Sequence, residues 1–321
     1  MDFDEYLVAG RAGGWSPATQ AQYGWHLARF GAWLAAQGCY QPEGLTRALL
    51  RGYLAALADV YSPATRKVSA IAIRSWLRWM AEEGLLPGGT DLATAIKAPR
   101  VPRLAQRTAM PDEVEAMLAA CDEPVRGLSE EADAAVRCRN AAMIALLYDG
   151  MLRASELCRL TLTDLEIARL RCLVRGKGGK REFVRFGPET AERLQGWLQV
   201  RPGVVNAGCE ALFVAVGGNT PGCQLTSSGL RVIIRRLGER AGVAPISPHA
   251  FRRGSVVAQL MAGASSRYVQ INGRWDNIAE VERYSQQLNA AAAYDQFSPM
   301  TRLVNTSFNG RPVNSDLTVD R

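Results

Sequence analysis

Apolar positions recur with a helical period over most of the chain. Ser16-Pro17 is a capped helix start, and Tyr23, Leu27, Phe30 and Leu34 follow as one stripe that Gly38 ends. A second helix is expected from about Thr46 to Asp59. A third begins at Ser62-Pro63 and carries Val68, Ile71, Ile73, Trp76, Leu77 and Trp79 as far as Gly84; a short fourth lies near Asp91 to Lys97. Four helices on short loops make a small bundle. A further helical series starts at Pro111 and continues from Glu130 to Tyr148, with a short helix after Arg153. The period then changes. Leu173-Val174 and Phe183 to Phe186 predict strands joined by a glycine-rich turn at residues 176–180. Helices return at Pro188 to Val200, Thr226 to Ala241, His249 to Met261 and about Ile278 to Gln286. The pattern predicts a mainly α protein: an N-terminal four-helix domain, then a mixed α/β domain with a small antiparallel sheet.

The length of 321 residues fits two domains, and 48% hydrophobic residues are enough for two cores. The first domain is expected over residues 1–98. Residues 99–111 hold three prolines, three arginines and no acid, and predict a stiff basic linker. Composition alone leaves it open between a solvated hinge and a segment lying along a phosphate backbone. The second domain is expected over residues 112–304, and the polar stretch 305–321 predicts a flexible tail. No long uncharged apolar run occurs, and the acidic start lacks the pattern of a secretory signal, so a cytoplasmic protein without a membrane span is expected. Seven scattered cysteines, none in a C-x-x-C pair, argue against a disulfide framework or zinc site, and two histidines exclude a multi-histidine metal centre. No cofactor is expected. The net charge of +7 leans towards an anionic partner.

Five segments carry candidate chemistry. Gly150-Met151-Leu152-Arg153-Ala154-Ser155-Glu156-Leu157 sets an arginine at the end of an apolar helix. Lys177 sits on the glycine turn. His249 and Arg252 stand three apart on one helix face. Trp275 follows Arg252 by 23 residues, and Tyr284 follows Trp275 by nine. Taken singly, each has a structural alternative: Arg153 a helix end, Lys177 a hairpin charge, His249 a cap, Tyr284 a core aromatic.

Together, in this order, the segments resemble the tyrosine recombinase, or phage integrase, family, of a Xer-like two-domain kind. The resemblance covers most of residues 10–290. It implies an N-terminal SAM-like core-binding domain that forms half of a clamp around DNA. It also implies a catalytic set of Arg153, Lys177, His249, Arg252, Trp275 and Tyr284, with Glu156 in support. Tyr284 would attack phosphorus and form a 3′-phosphotyrosyl bond, and a Holliday junction would follow. Two guanidiniums suit the phosphate oxygens because they stay charged and bind bidentately. Lys177 would protonate the leaving 5′-oxygen, with Lys180 its alternative if the hairpin register slips. His249 would assist proton transfer, while Trp275 has an N–H donor and nothing to titrate. Arg253 stands where many relatives have His, and Gly273-Arg274-Trp275 replaces a common Leu-Gly-His.

The expected partner is double-stranded DNA with an inverted-repeat core site. Candidate contacts are Arg66, Lys67, Arg74 and Arg78 on the third helix, Arg103 and Arg107 in the linker, Arg231 and Arg235 on a later helix, and Arg253 and Arg274 beside the catalytic set. The family also implies a homotetramer joined by exchange of a C-terminal helix, here residues 289–304, with an accessory protein left open. Two alternatives remain at this point: a non-catalytic DNA-binding relative, and a type IB topoisomerase-like enzyme.

Overall fold

The computed structural model describes residues 1, 3–86, 91–101, 106–176 and 179–285. The chain divides into two compact units, Met1–Ala105 and Gln106–Arg321, so the boundary falls inside the proline-rich segment 99–111.

The first unit holds helices α1 (Asp4–Ala12), α2 (Pro17–Ala36), α3 (Arg47–Ala56) and α4 (Pro63–Glu82). Three of them start where the sequence places a hydroxyl. Ser16, Thr46 and Ser62 each accept the N–H three residues on, satisfying a donor that the helix itself leaves free. The core gathers Tyr6, Leu27, Phe30, Leu34, Leu50, Tyr53, Ile73, Trp76 and Leu77. Two expectations change. The helix near Asp91 to Lys97 is only a short 3-10 turn, Ala93–Ala95, with Asp91 accepting from Thr94 N–H. Helix α1 is the element not foreseen; it buries Tyr6 and Gly10.

The second unit opens with α5 (Pro111–Asp122), α6 (Glu130–Asp149) and α7 (Ala154–Arg159). A three-stranded antiparallel sheet follows in the order β1 (Leu165–Glu166), β2 (Arg171–Arg175), β3 (Arg181–Arg185). Cys172 pairs with Val184, and Val174 with Glu182. Cys172, Val174 and Val184 are buried, so one face of the hairpin packs on the helices and the other meets solvent. Then come α8 (Pro188–Val200), α9 (Ser227–Arg240), α10 (Pro248–Met261), α11 (Ser266–Gly273) and α12 (Ile278–Ser285). The sequence did not suggest β1 or α11. The main core runs from Val114 through Leu146, Leu152, Trp197 and Phe213 to Phe251. A smaller cluster of Met151, Val256, Leu260, Val269 and Val281 carries Trp275 and Tyr284 on its edge. All seven cysteines are unpaired. Among the described residues, no helix is long and apolar enough to cross a membrane.

Candidate active site

Three junctions build the site. The first is the end of α6. Asp149 Oδ2 accepts from Thr190 Oγ1 at 2.8 Å and from Gly187 N–H, tying α6 to the start of α8. At Gly150 a side chain would meet Leu152, Leu146 O and Val184, so the chain passes there only as glycine. Met151 then turns with φ +48°, in the left-handed region. For a non-glycine residue that conformation costs about 1–2 kcal/mol. The turn delivers Arg153 to the head of α7 on extended backbone.

Glu156 fixes Arg153 from inside that helix. Its Oε2 accepts the Arg153 N–H at 2.8 Å and its Oε1 accepts Arg153 Nη1 at 2.7 Å. Its side chain is 3% exposed, against 44% for Arg153. Glu156 Oε2 also accepts Arg274 Nη2 at 2.8 Å, so one buried carboxylate bridges two guanidiniums. Burial alone would push the Glu156 carboxyl up; Arg274, and the N–H and guanidinium of Arg153, reverse this and hold it below the usual carboxylate range.

The second junction is the first two turns of α10. His249 is exposed near the helix N-terminus, and Arg252 lies one turn further in, 1% exposed. Arg252 Nη1 donates to Met151 O and Nη2 to Gly273 O. Its guanidinium lies over the Trp275 ring, 4.1 Å from the centroid. Burial, then the charges of Arg153 and Arg274, lower its pKa to about 9, which still leaves it protonated at neutral pH. His249 is exposed over part of its surface, yet partial burial of its ring, then Arg253, Arg252 and Arg153, push the imidazole down to about 4. At neutral pH the ring is therefore uncharged.

The third junction is the end of α11. Gly273 is overlaid by the Trp275 ring, which leaves no room for a Cβ. Arg274 follows with φ +57°. Gln270 Nε2 donates to Trp275 O at 3.0 Å and holds the turn. Trp275 and Tyr284 rings are 6.4 Å apart. Arg153, Glu156, Arg252, Trp275 and Arg274 thus form one connected set, with Tyr284 against its aromatic side. Lys177 lies outside the described residues; on either side of it, Gly176 N–H donates to Lys180 O.

The DNA-contact candidates separate into groups. Lys67, Arg78, Arg231 and Arg235 are exposed. Arg66 is half-buried. Arg74 is half-buried and donates to Ile96 O. Arg107 is engaged by Glu113. Arg253 is 6% exposed and donates to Arg107 O and Gln106 Oε1, inside its own unit. Arg274 has a side chain 9% exposed and paired with Glu156. In both cases a protein oxygen within reach holds the guanidinium. Arg103 lies outside the described residues, as do residues 289–304 and the tail. Sequence reasoning missed Met151 and Gln270. Nothing in the pattern marks them, because they act through backbone shape and a single amide.

Comparison with known proteins gives the family. The model of the phage integrase family matches residues 107–290. Tyrosine recombinase XerC of Myxococcus xanthus is 30% identical over 283 residues, 85% of this chain and 88% of that protein. Two solved structures share the fold. XerH site-specific recombinase bound to palindromic difH substrate, in a post-cleavage complex, gives a TM-score of 0.61 at 19% identity, covering 80% of this chain and 73% of the other. A lambda integrase tetramer bound to a Holliday junction gives 0.66 at 16% identity, covering 88% and 75%. The chain belongs to the phage integrase family and is a Xer-like tyrosine recombinase. Its activity is the cutting and rejoining of DNA strands.

Proposed function

We propose that this protein recombines DNA at a specific inverted-repeat core site through a covalent bond between Tyr284 and a 3′-phosphate. The observation that carries the reading is the seat of Arg252: fully buried, held by two carbonyls, stacked on Trp275 and beside Tyr284. A guanidinium fixed this way stabilises a developing charge without reorganising during the reaction. Tyr284 oxygen attacks phosphorus as the bond to the 5′-oxygen breaks. Neutral His249 takes the phenol proton, and Lys177 supplies the proton to the 5′-oxygen. Arg153 and Arg252 bind the non-bridging oxygens, where negative charge grows. The phosphotyrosyl bond keeps the energy of the broken linkage for rejoining.

The wider reading places four copies on two sites, joined by exchange of residues 289–304 and passing through a Holliday junction. It is supported by the fold shared with a lambda integrase tetramer on such a junction and by the XerC relative. The role is integration, excision or resolution of a mobile element, plasmid or chromosome dimer, in the cytoplasm at the nucleoid. Exposed Lys67, Arg78, Arg231 and Arg235 contact phosphates, so binding weakens steeply with salt. The test is a nicked suicide duplex carrying the core site, recovered by selection from random DNA. Wild type traps a covalent adduct; Tyr284→Phe binds the duplex and traps none. An adduct formed by Tyr284→Phe would refute the assignment. A wild-type protein that binds without an adduct would favour a non-catalytic relative. Relaxation of supercoils without site dependence would favour a topoisomerase.

A further inference from the structure

Arg274 is the site residue least accounted for. It ends α11 with φ +57°, a conformation that glycine adopts freely and arginine does not. A glycine would fit this backbone better, so the side chain itself must be what the site uses. That side chain is almost fully enclosed, and its Nη2 reaches Glu156 Oε2 at 2.8 Å and Met151 O at 3.4 Å. The other Glu156 oxygen holds Arg153 Nη1 at 2.7 Å. Glu182 stands further off, 4.0 Å from Arg274 Nε.

The charge balance of this triad decides what Arg153 can do. Glu156 and Arg153 alone would make a one-to-one ion pair of zero net charge. Arg153 would then be aligned but neutralised, and Arg252 would face the phosphate alone. With Arg274 on the same carboxylate the triad carries one positive charge, and with Arg252 the set carries two; Glu182, half-exposed and 4.0 Å from Arg274 Nε, is screened by solvent and offsets this only weakly. A phosphodiester brings one negative charge and gains a second as it becomes five-coordinate. Two positive charges match that demand; one does not.

We infer that Arg274 is a positioning residue that neutralises Glu156, so that Glu156 can orient Arg153 without quenching its charge towards the DNA phosphate. This rests on the recombination reading given above. It assigns Arg274 no contact with DNA: its effect passes through Glu156 to Arg153. The burial of Arg274 and the lowered carboxyl pKa of Glu156 agree with it.

The test uses full-length protein at saturating concentration on the nicked core-site duplex, reading the single-turnover rate of adduct formation. Arg274→Gly, which suits the backbone, should bind the duplex normally and cleave on the order of 30-fold more slowly, equivalent to about 2 kcal/mol. Arg274→Lys, which keeps the charge, should cleave within about fivefold of wild type, a difference of about 1 kcal/mol. The double variant Arg274→Gly with Glu156→Gln removes one charge of each sign and should recover part of the rate lost in Arg274→Gly, since the amide oxygen introduced at that position can still accept from Arg153. A purely structural role for Arg274 predicts no recovery. Wild-type cleavage by Arg274→Gly, or a double variant no faster than the single one, would overturn the inference while leaving the recombination reading intact. Failure of the wild-type protein itself to form an adduct would overturn both.

Discussion

Gly254 lies on α10, two residues beyond Arg252, where the helix crosses the backbone of residues 107–109. A Cβ added there would sit 2.9 Å from the Ala109 carbonyl carbon, closer still to its oxygen, and 3.1 Å from Tyr148 Cε2. Carbon atoms settle at about 3.5–4.0 Å, so the helix and the segment 107–109 must part by roughly 1 Å. The carbonyl cannot swing aside easily. Ala109 N–H donates to Ala250 O at 3.1 Å, and Arg107 O accepts from Arg253 Nε at 2.9 Å, pinning the segment on both sides. Overpacking costs about 1–3 kcal/mol. A stretched backbone hydrogen bond adds about 1 kcal/mol, and the better helix propensity of alanine returns about 1 kcal/mol. Gly254→Ala should therefore lose about 2 kcal/mol, or about 4–8 °C in Tm for a unit of this size. A shift of roughly 1 Å at Arg252 should slow single-turnover cleavage about 100-fold. Gly196 is the control: it lies inside α8 with nothing within 4 Å of an added Cβ, so Gly196→Ala should keep the rate and match or exceed the wild-type Tm. Thermal melts and suicide-substrate cleavage on the two variants settle the matter. A Gly254→Ala protein with wild-type Tm and rate would refute the reasoning.

Glu156→Gln leaves Arg153 and Arg274 sharing a neutral amide, with Arg274 buried, and should cost about 3 kcal/mol of stability measured by urea melts. Because the folded Glu156 carboxyl lies below its unfolded value, its contribution is complete above the ordinary carboxylate pKa and fades as pH falls through the lower folded one. The variant should then lose less stability on acidification than wild type, and an equal loss would contradict the assignment. With only two histidines in the chain, the His249 ring proton can be assigned in NMR spectra with one His26 variant. It should titrate near pH 4 in DNA-free protein, from the surrounding protein and three arginines. A lowered histidine pKa favours the unfolded chain as pH falls from its ordinary value to the folded one, so His249 weakens the fold across that window. A midpoint at or above the ordinary histidine value would contradict the site geometry.

Much of this was legible in the sequence, for local reasons. Ser16-Pro17, Ser62-Pro63 and Thr226 announce helices because cap and first turn are set by neighbours in the chain. Helix α1 escaped because Phe3 gives it no side-chain cap, and α11 because only Val269, Gln270 and Gly273 of its eight residues are buried. The order of Arg153, His249, Arg252, Trp275 and Tyr284 pointed to a family, but not to how the arginines differ. Arg78 stays in solvent, Arg74 finds Ile96 O and Arg253 finds Arg107 O. Those carbonyls lie 22 and 146 residues away along the chain, so helical spacing says nothing about them. The left-handed turns at Met151 and Arg274 are equally silent, since neither position is a glycine.

The grip of Arg253 on residues 106 and 107 bears on where the molecule can be divided. Composition suggests cutting at Pro111, after the last proline of the basic segment. A fragment starting there would lack the Arg107 carbonyl and the Gln106 amide, leaving a buried guanidinium without acceptors one residue from Arg252. It would also strip Ala250 O of its N–H donor from Ala109. The five residues ahead of α5 therefore serve as an N-terminal strap of the second unit. Any separately expressed piece, or any exchange of the first unit for another, should keep the chain intact from Gln106 onward.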